Sequence, residues 1–110
     1  DIVGAMQRDA GVSLVELKVD GGAARNDLLM QFQADLTGVR IIRPSVMEST
    51  ALGAAMFAGL AVGFWHSTDE ICALLKPDRT FSPEAAPALM EQRRKRWHEA
   101  VRRSRHWIEE

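Results

Sequence analysis

The residues best suited to chemistry lie in VDGGAARN, residues 19–26: an aspartate, two glycines and, four residues after the second glycine, an asparagine. This stretch joins an apolar run, SLVELKV, to an apolar-periodic one, DLLMQFQADL. A strand that ends in glycines and turns into a helix presents bare backbone N–H groups at the helix N-terminus, whose partial positive charge attracts anions. Glycine at 21 and 22 places no β-carbon between the backbone and a flat or bulky ligand. Asn26, about one turn into the expected helix, carries a donor and an acceptor toward the same mouth. The base and ribose of a nucleotide match that geometry. A Gly-Gly pair after a strand is more often a plain tight turn, and the residues alone leave both readings open. The chain holds neither G-x-G-x-x-G nor G-x-x-x-x-G-K-[ST], which excludes the Rossmann fingerprint and the P-loop. Asp20 reads as a residue that fixes the turn by accepting backbone N–H bonds. Glu48, ahead of an Ala/Gly-rich run, reads as a cap or a loop tie.

Other reactive side chains point to structure. His66, His98 and His106 lack metal-ligand spacing, and no cysteine or acid completes a set with them, so no metal site is expected. Cys72 is the one cysteine among 110 residues. It excludes an internal disulfide, fits a reducing, cytoplasmic compartment, and reads as a buried small hydrophobe. Arg93, Arg94, Lys95, Arg96, Arg102, Arg103 and Arg105 carry seven of the 14 basic charges. Arg-rich helices can track phosphates. Here Glu91, Glu99, Glu109 and Glu110 interrupt the run and the net charge is −1, so a solvated helix face is expected and no nucleic-acid partner. Trp65, Trp97 and Trp107 read as packing residues. The longest run without a charged or strongly polar residue, ALGAAMFAGLAVGFW, has 15 residues, short of the roughly 20 that span a bilayer.

The elements that must position the glycine corner follow from periodicity. DIVGAMQRDAG reads as a helix, with Asp1 as a possible cap, stopped at Gly11. SLVELKV alternates as a strand, with Val15, Leu17 and Val19 on one side. A helix is expected from about Ala23 to Thr37, with Leu28, Leu29, Phe32 and Leu36 as its apolar stripe and Gly38 as its stop. VRIIRP is a short strand closed by Pro44. A helix at about 50–63 has small residues all round, and its two interior glycines, each costing about 1 kcal/mol against alanine, call for close backbone approach to a sheet or another helix. Ser67 or Thr68 caps a short helix with Glu70 in its first turn. KPDRTFSPEAAP, with three of the four prolines, reads as loop. The last helix runs from about Ala88 to the end, with Met90, Trp97, Val101, Ser104 and Ile108 as a stripe. Two strands around a helix make a βαβ-like unit, expected parallel. Two strands are too few for a stable sheet, so the domain reads as cut from something longer, or completed by pairing between chains.

The run VDGGAARNDLLMQFQADLTGVRIIRP, followed by ESTALGAAMFAGLAVGFW, closely resembles the C-terminal part of the FGGY family of carbohydrate kinases. Within that family VDGG, LMQFQAD and TALGAA…AGLAVGFW resemble the kinases that act on glycerol more than those of xylulose or gluconate. The resemblance covers nearly the whole chain. It implies an α/β fold: a partial actin-like ATPase (ribonuclease-H-like) domain of short parallel strands with packed helices. It implies that residues 1–110 are the C-terminal portion of the nucleotide-binding domain. The first domain, the catalytic aspartate and the glycerol-contacting residues lie elsewhere. By the same resemblance Gly22 and Asn26 look like ATP/ADP contacts, and Gly21 and Ala23 shape the same wall.

The implied reaction transfers the γ-phosphoryl of MgATP to glycerol, giving sn-glycerol 3-phosphate, with the magnesium ligands outside this chain. No residue here is assigned catalysis, and the 110 residues alone are expected to be inactive. Exposed sheet edges lead us to expect a homo-oligomer. The alternatives are another FGGY carbohydrate kinase and a non-enzymatic binding module that uses the Arg-rich helix.

Overall fold

The computed structural model describes residues 1–105. Five helices and three strands follow in the order α1 (Ile2–Ala10), β1 (Glu16–Lys18), a 3-10 turn (Gly22–Arg25), α2 (Asp27–Thr37), β2 (Arg40–Pro44), α3 (Ser49–Ala61), α4 (Thr68–Leu74), β3 (Pro77–Phe81) and α5 (Pro87–Ser104). His106, Trp107, Ile108, Glu109 and Glu110, expected to continue the last helix, lie outside the described residues.

β2 is the central strand. It runs parallel to β1, pairing Leu17 with Ile41, as a βαβ-like unit requires. Its other edge takes β3 in the antiparallel sense, pairing Ile41 with Phe81 and Arg43 with Arg79. The sequence reads β3 as loop, and the structure corrects that. Pro77 is tolerated because it opens an edge strand, where a missing N–H breaks no ladder. The strand's residues are exposed except Phe81, so it shows almost no apolar alternation.

The core sits where α2 crosses the sheet. Ala24, Met30, Ala34, Ile41 and Phe81 are its buried members, with Leu17, Val19, Leu29 and Met47 packed around them. Leu17 and Val19 are the inward side chains of the first strand, as alternation predicts, while Val15 is exposed. Met30 and Ala34, four residues apart and so on one face of α2, meet the sheet. The expected stripe is rotated off that face: Leu28 is 80% exposed. Gly38 ends α2 in the left-handed region at φ 71°, its N–H donating to the Ala34 carbonyl at 2.9 Å.

Outside that core the chain spreads. The radius of gyration is 18.5 Å, against about 13 Å for a compact domain of similar size. α3 has no buried residue, and Phe57 is 73% exposed. The close backbone approach expected for its glycines is absent at Gly53, where a β-carbon would meet nothing. At Gly59 the neighbour is a side chain and neither a sheet nor another helix: the Trp65 ring leaves no room for a β-carbon. Trp65 in turn meets Phe64 edge to face at 4.9 Å. Glu48 precedes α3 without a side-chain cap bond. In α4 the Ser67 hydroxyl accepts from the Glu70 N–H at 3.2 Å, and the Glu70 carboxylate accepts from the His66 N–H at 2.8 Å. Ile71 is the buried residue of this helix; Cys72 is exposed, contrary to expectation, because a seven-residue helix lying on the surface has room for little more than one inward position.

Candidate functional site

The path from β1 to α2 differs from the expected simple strand-to-helix turn. Val19 still donates to the Ile42 carbonyl at 3.0 Å, extending the ladder one residue past β1. Gly21 then takes φ 81°, ψ 174°, a conformation open essentially to glycine alone. Its N–H donates to the Met47 carbonyl at 3.2 Å, which ties the corner to the loop after β2. A single 3-10 turn follows, closed by Ala24 N–H to the Gly21 carbonyl and Asn26 N–H to the Ala23 carbonyl, each 3.1 Å. Ala24 points into the core; Gly22 and Ala23 face solvent.

The helix proper begins at Asp27, with Asn26 as its N-cap. Asn26 Oδ1 accepts from the Leu29 N–H at 3.1 Å. Asn26 therefore stands at the mouth of α2 and not one turn inside it, because its side chain satisfies an otherwise orphaned helix amide better than a residue in mid-helix can.

The four expected site residues, Gly21, Gly22, Ala23 and Asn26, thus lie on one short rim. A β-carbon built on Gly21 or Gly22 would have nothing within 4 Å, so no side chain fills the corner. The first N–H groups of a 3-10 turn have no partner within it, and among the described residues the Gly22 and Ala23 amides donate to nothing else. The rim is an open shelf rather than a cleft. A groove of about 710 Å³ lies elsewhere, where Asp1 and Gln7 of the α1 region, Phe32 of α2 and Trp97 of α5 converge, and none of the four rim residues lines it. Asp20 is exposed, and its carboxylate accepts no bond among the described residues, so it does not fix the turn as expected. The turn is fixed by backbone bonds and by Arg43.

Arg43 reaches back from β2 beneath the rim. Its Nη1 donates to the Ala24 carbonyl at 2.9 Å and to Asp27 Oδ1 at 2.7 Å. Its Nε and Nη2 lie 2.8 and 2.7 Å from Asp78 Oδ2 on β3. The guanidinium sits 5.4 Å from the centre of the Phe81 ring. Arg79 pairs with the other oxygen of Asp27 and also lies over Phe81. The Arg43 hydrogen bond, helped by the charges of Arg79 and Arg43, holds the Asp27 carboxyl below the usual aspartate range, and Asp27 in turn raises Arg43. No pattern in the sequence singles out Arg43, because an arginine before a proline at the end of a strand is usually a solvated one.

A second fixture lies further along α2. Asp35 Oδ1 accepts from the Glu84 N–H at 2.7 Å and the Ala85 N–H at 3.1 Å, and from Gln31 Nε2 at 3.1 Å; Gln31 also donates to the Ser82 carbonyl at 2.8 Å. The two backbone bonds lower the Asp35 carboxyl. Gln31 and Asp35, both within LMQFQAD, thereby hold the segment leading into α5.

A model of the FGGY family of carbohydrate kinases, C-terminal domain, matches residues 1–62. The chain belongs to the FGGY family of carbohydrate kinases. It is 60% identical over 107 residues to the glycerol kinase of Dechloromonas aromatica (strain RCB), covering 97% of this chain and 21% of that protein. It is 51% identical over 110 residues to the glycerol kinase of Rhodopirellula baltica, all of this chain and 20% of that one. The chain therefore spans about a fifth of the length of these relatives.

Its fold matches the crystal structure of Plasmodium falciparum glycerol kinase with ADP at a TM-score of 0.85 and 33% identity, over 97% of this chain and 22% of that one. A ligand-bound xylulose kinase from Lactobacillus acidophilus shares the fold at a TM-score of 0.66 and 23% identity. The fold is accordingly that of the FGGY kinases, a portion of an actin-like ATPase domain, with β3 as an antiparallel addition to the expected parallel pair.

Several other polar side chains of this FGGY chain are tied up internally. Arg102 and Arg103 of α5 both pair with Glu99, at 2.8 and 2.7 Å, and Arg94 donates to the Leu36 carbonyl at 2.8 Å. The Arg102 hydrogen bond leads in lowering the Glu99 carboxyl. Trp97 is 58% exposed, so it is no core residue; its indole N–H donates to Asp1 Oδ2 at 3.0 Å, and His98 Nε2 lies 2.8 Å from the other oxygen. Asp1 is thus turned toward α5 and makes no side-chain cap bond to α1. Among the described residues no group of three or more His, Cys, Asp or Glu could hold a metal ion. No described helix is long and apolar enough to cross a membrane.

Proposed function

We propose that this chain is the C-terminal portion of the nucleotide-binding domain of an ATP-dependent glycerol kinase. The full-length enzyme would transfer the γ-phosphoryl of ATP to glycerol and give sn-glycerol 3-phosphate. The chain's part is to hold the adenosine. Gly21 and Gly22 give it a surface without β-carbons, Ala23 continues that wall, and Asn26 meets it with a polar side chain. The single observation that carries this reading is the open rim with two unpartnered amides, those of Gly22 and Ala23, at the head of the 3-10 turn before α2. It occurs in a chain whose fold matches, at a TM-score of 0.85, a glycerol kinase described with ADP.

Bound there, ATP would supply the phosphoryl group. The magnesium that accompanies it, the carboxylate that accepts the hydroxyl proton and the glycerol-contacting residues belong to other parts of the enzyme. The 110 residues alone are expected to be inactive. Glycerol is favoured over xylulose or gluconate because the high-identity relatives are glycerol kinases, whereas the xylulose and gluconate kinases share the fold at 23% identity.

The test is Asn26→Ser in the full-length enzyme. Serine keeps the helix cap but removes the amide that faces the ligand. The KM for ATP should rise about tenfold, the worth of one hydrogen bond of about 1.4 kcal/mol, while the KM for glycerol and the melting temperature stay near their starting values. An unchanged KM for ATP removes the adenosine from this rim.

A further inference from the structure

We propose that Arg43 is a positioning residue for the nucleotide: it fixes the 3-10 turn so that only the Gly22 and Ala23 amides are left facing outward. This inference rests on the reading that the rim holds adenosine. Four of the five guanidinium N–H donors are engaged, on Asp78, on Asp27 and on the Ala24 carbonyl. The Ala24 bond is the one that reaches the turn itself. With it, the carbonyls of Gly21, Ala23 and Ala24 all have donors, from Ala24, Asn26 and Arg43 respectively. The peptide planes of the turn are then set, with the Gly22 and Ala23 N–H groups left to meet a ligand.

The side chain that does this is 11% exposed and anchored at its far end by Asp78 on β3. The position of the turn is therefore referred to the sheet and does not depend on the short 3-10 hydrogen bonds alone. Lysine cannot take over this task, because a single ammonium at the end of a flexible stem cannot span Asp78, Asp27 and a carbonyl at once. Arg79 provides the control. It touches Asp27 and Phe81 as Arg43 does, but it makes no bond to the turn.

The experiment uses the full-length enzyme with Arg43→Lys, Arg79→Gln and Asn26→Ser. Kinetics are read well below each variant's melting temperature. Arg43→Lys should raise the KM for ATP roughly tenfold, as for one misaligned ligand hydrogen bond, and leave the KM for glycerol unchanged. Arg79→Gln should leave both unchanged.

If Asn26→Ser weakens ATP but Arg43→Lys only lowers the melting temperature, Arg43 is structural and the inference is overturned while the adenosine reading stands. If Arg79→Gln weakens ATP as much as Arg43→Lys, the charge network and not the Ala24 contact is responsible, which also overturns it. If neither Asn26→Ser nor Arg43→Lys affects ATP, both readings fall. Should Arg43→Lys not fold, Asp78→Asn, which releases the far anchor of the guanidinium at an exposed site, decides the matter: a raised KM for ATP supports the inference and an unchanged one overturns it.

Discussion

Around β2, Ile41, Phe81, Met30, Ala34 and Ala24 lose nearly all contact with solvent. On α3 no residue does, although that helix carries no charge from Ser49 to Ala61. Apolar composition creates a demand for burial, and only topology can meet it. The βαβ-like path brings α2 back over the sheet it leaves, so two residues of one helical face suffice to seal the core. α3 departs from the end of β2 and finds no second layer among the described residues, apart from the indole that rests on Gly59. The same contrast holds for polar groups. Near the rim, Arg43 and Asp27 are fixed by partners on three elements; on α5 Arg102 and Arg103 pair with Glu99, three and four residues away on their own helix.

The sharpest way to break this comparison is Ile41→Ala. It empties a fully buried site and should cost about 2–5 kcal/mol, a large share of the 5–15 kcal/mol typical of a domain, read as a lowered urea midpoint. A smaller effect is expected from Asp35→Asn. The folded-state value of Asp35 is depressed, so the unfolded state binds more protons on acidification. Its contribution is present above the ordinary aspartate value of about 3.9 and disappears as the pH falls through the lower folded value. Asp35→Asn should therefore lower stability at neutral pH and flatten the acid limb, with the two proteins converging at the lowest pH; parallel acid limbs would show that the Glu84 and Ala85 amides contribute nothing. Smallest of all, Phe57→Ser on α3 should move stability by no more than about 0.5 kcal/mol, as for other exposed positions. A cost near that of Ile41→Ala would mean that α3 is packed after all.

Much of the scaffold was legible because its signals are local. Gly11 and Gly38 stop helices, Ser67 starts one with Glu70 completing the cap, and the parallel pairing of β1 with β2 follows from strand, helix, strand. That Gly21 and Gly22 form a corner between strand and helix was legible too, but the 3-10 turn within it and the place of Asn26 as a cap were not. What escaped depends on distant partners. β3 is charged and bounded by prolines, and it becomes a strand only because β2 has an open edge to offer. The inward face of α2 is set by the side chains that meet the sheet, Met30 and Ala34, a choice between neighbouring apolar positions that periodicity alone does not make. For the start of α2 at Asp27, the Asn-Asp pair ahead of a periodic run is the available signal. Arg43 left no trace at all: its role comes from the Ala24 carbonyl, Asp27 and Asp78, up to 35 positions away.

The cap at Asn26 sets a polarity. Its oxygen is spent on the Leu29 amide, so withdrawing it to serve a visitor would begin to unravel α2. Outward it lends its NH2 hydrogens, and its neighbours Gly22 and Ala23 set two amide hydrogens beside them. Whatever settles on this ledge meets those hydrogens first, and a face rich in lone pairs suits it best.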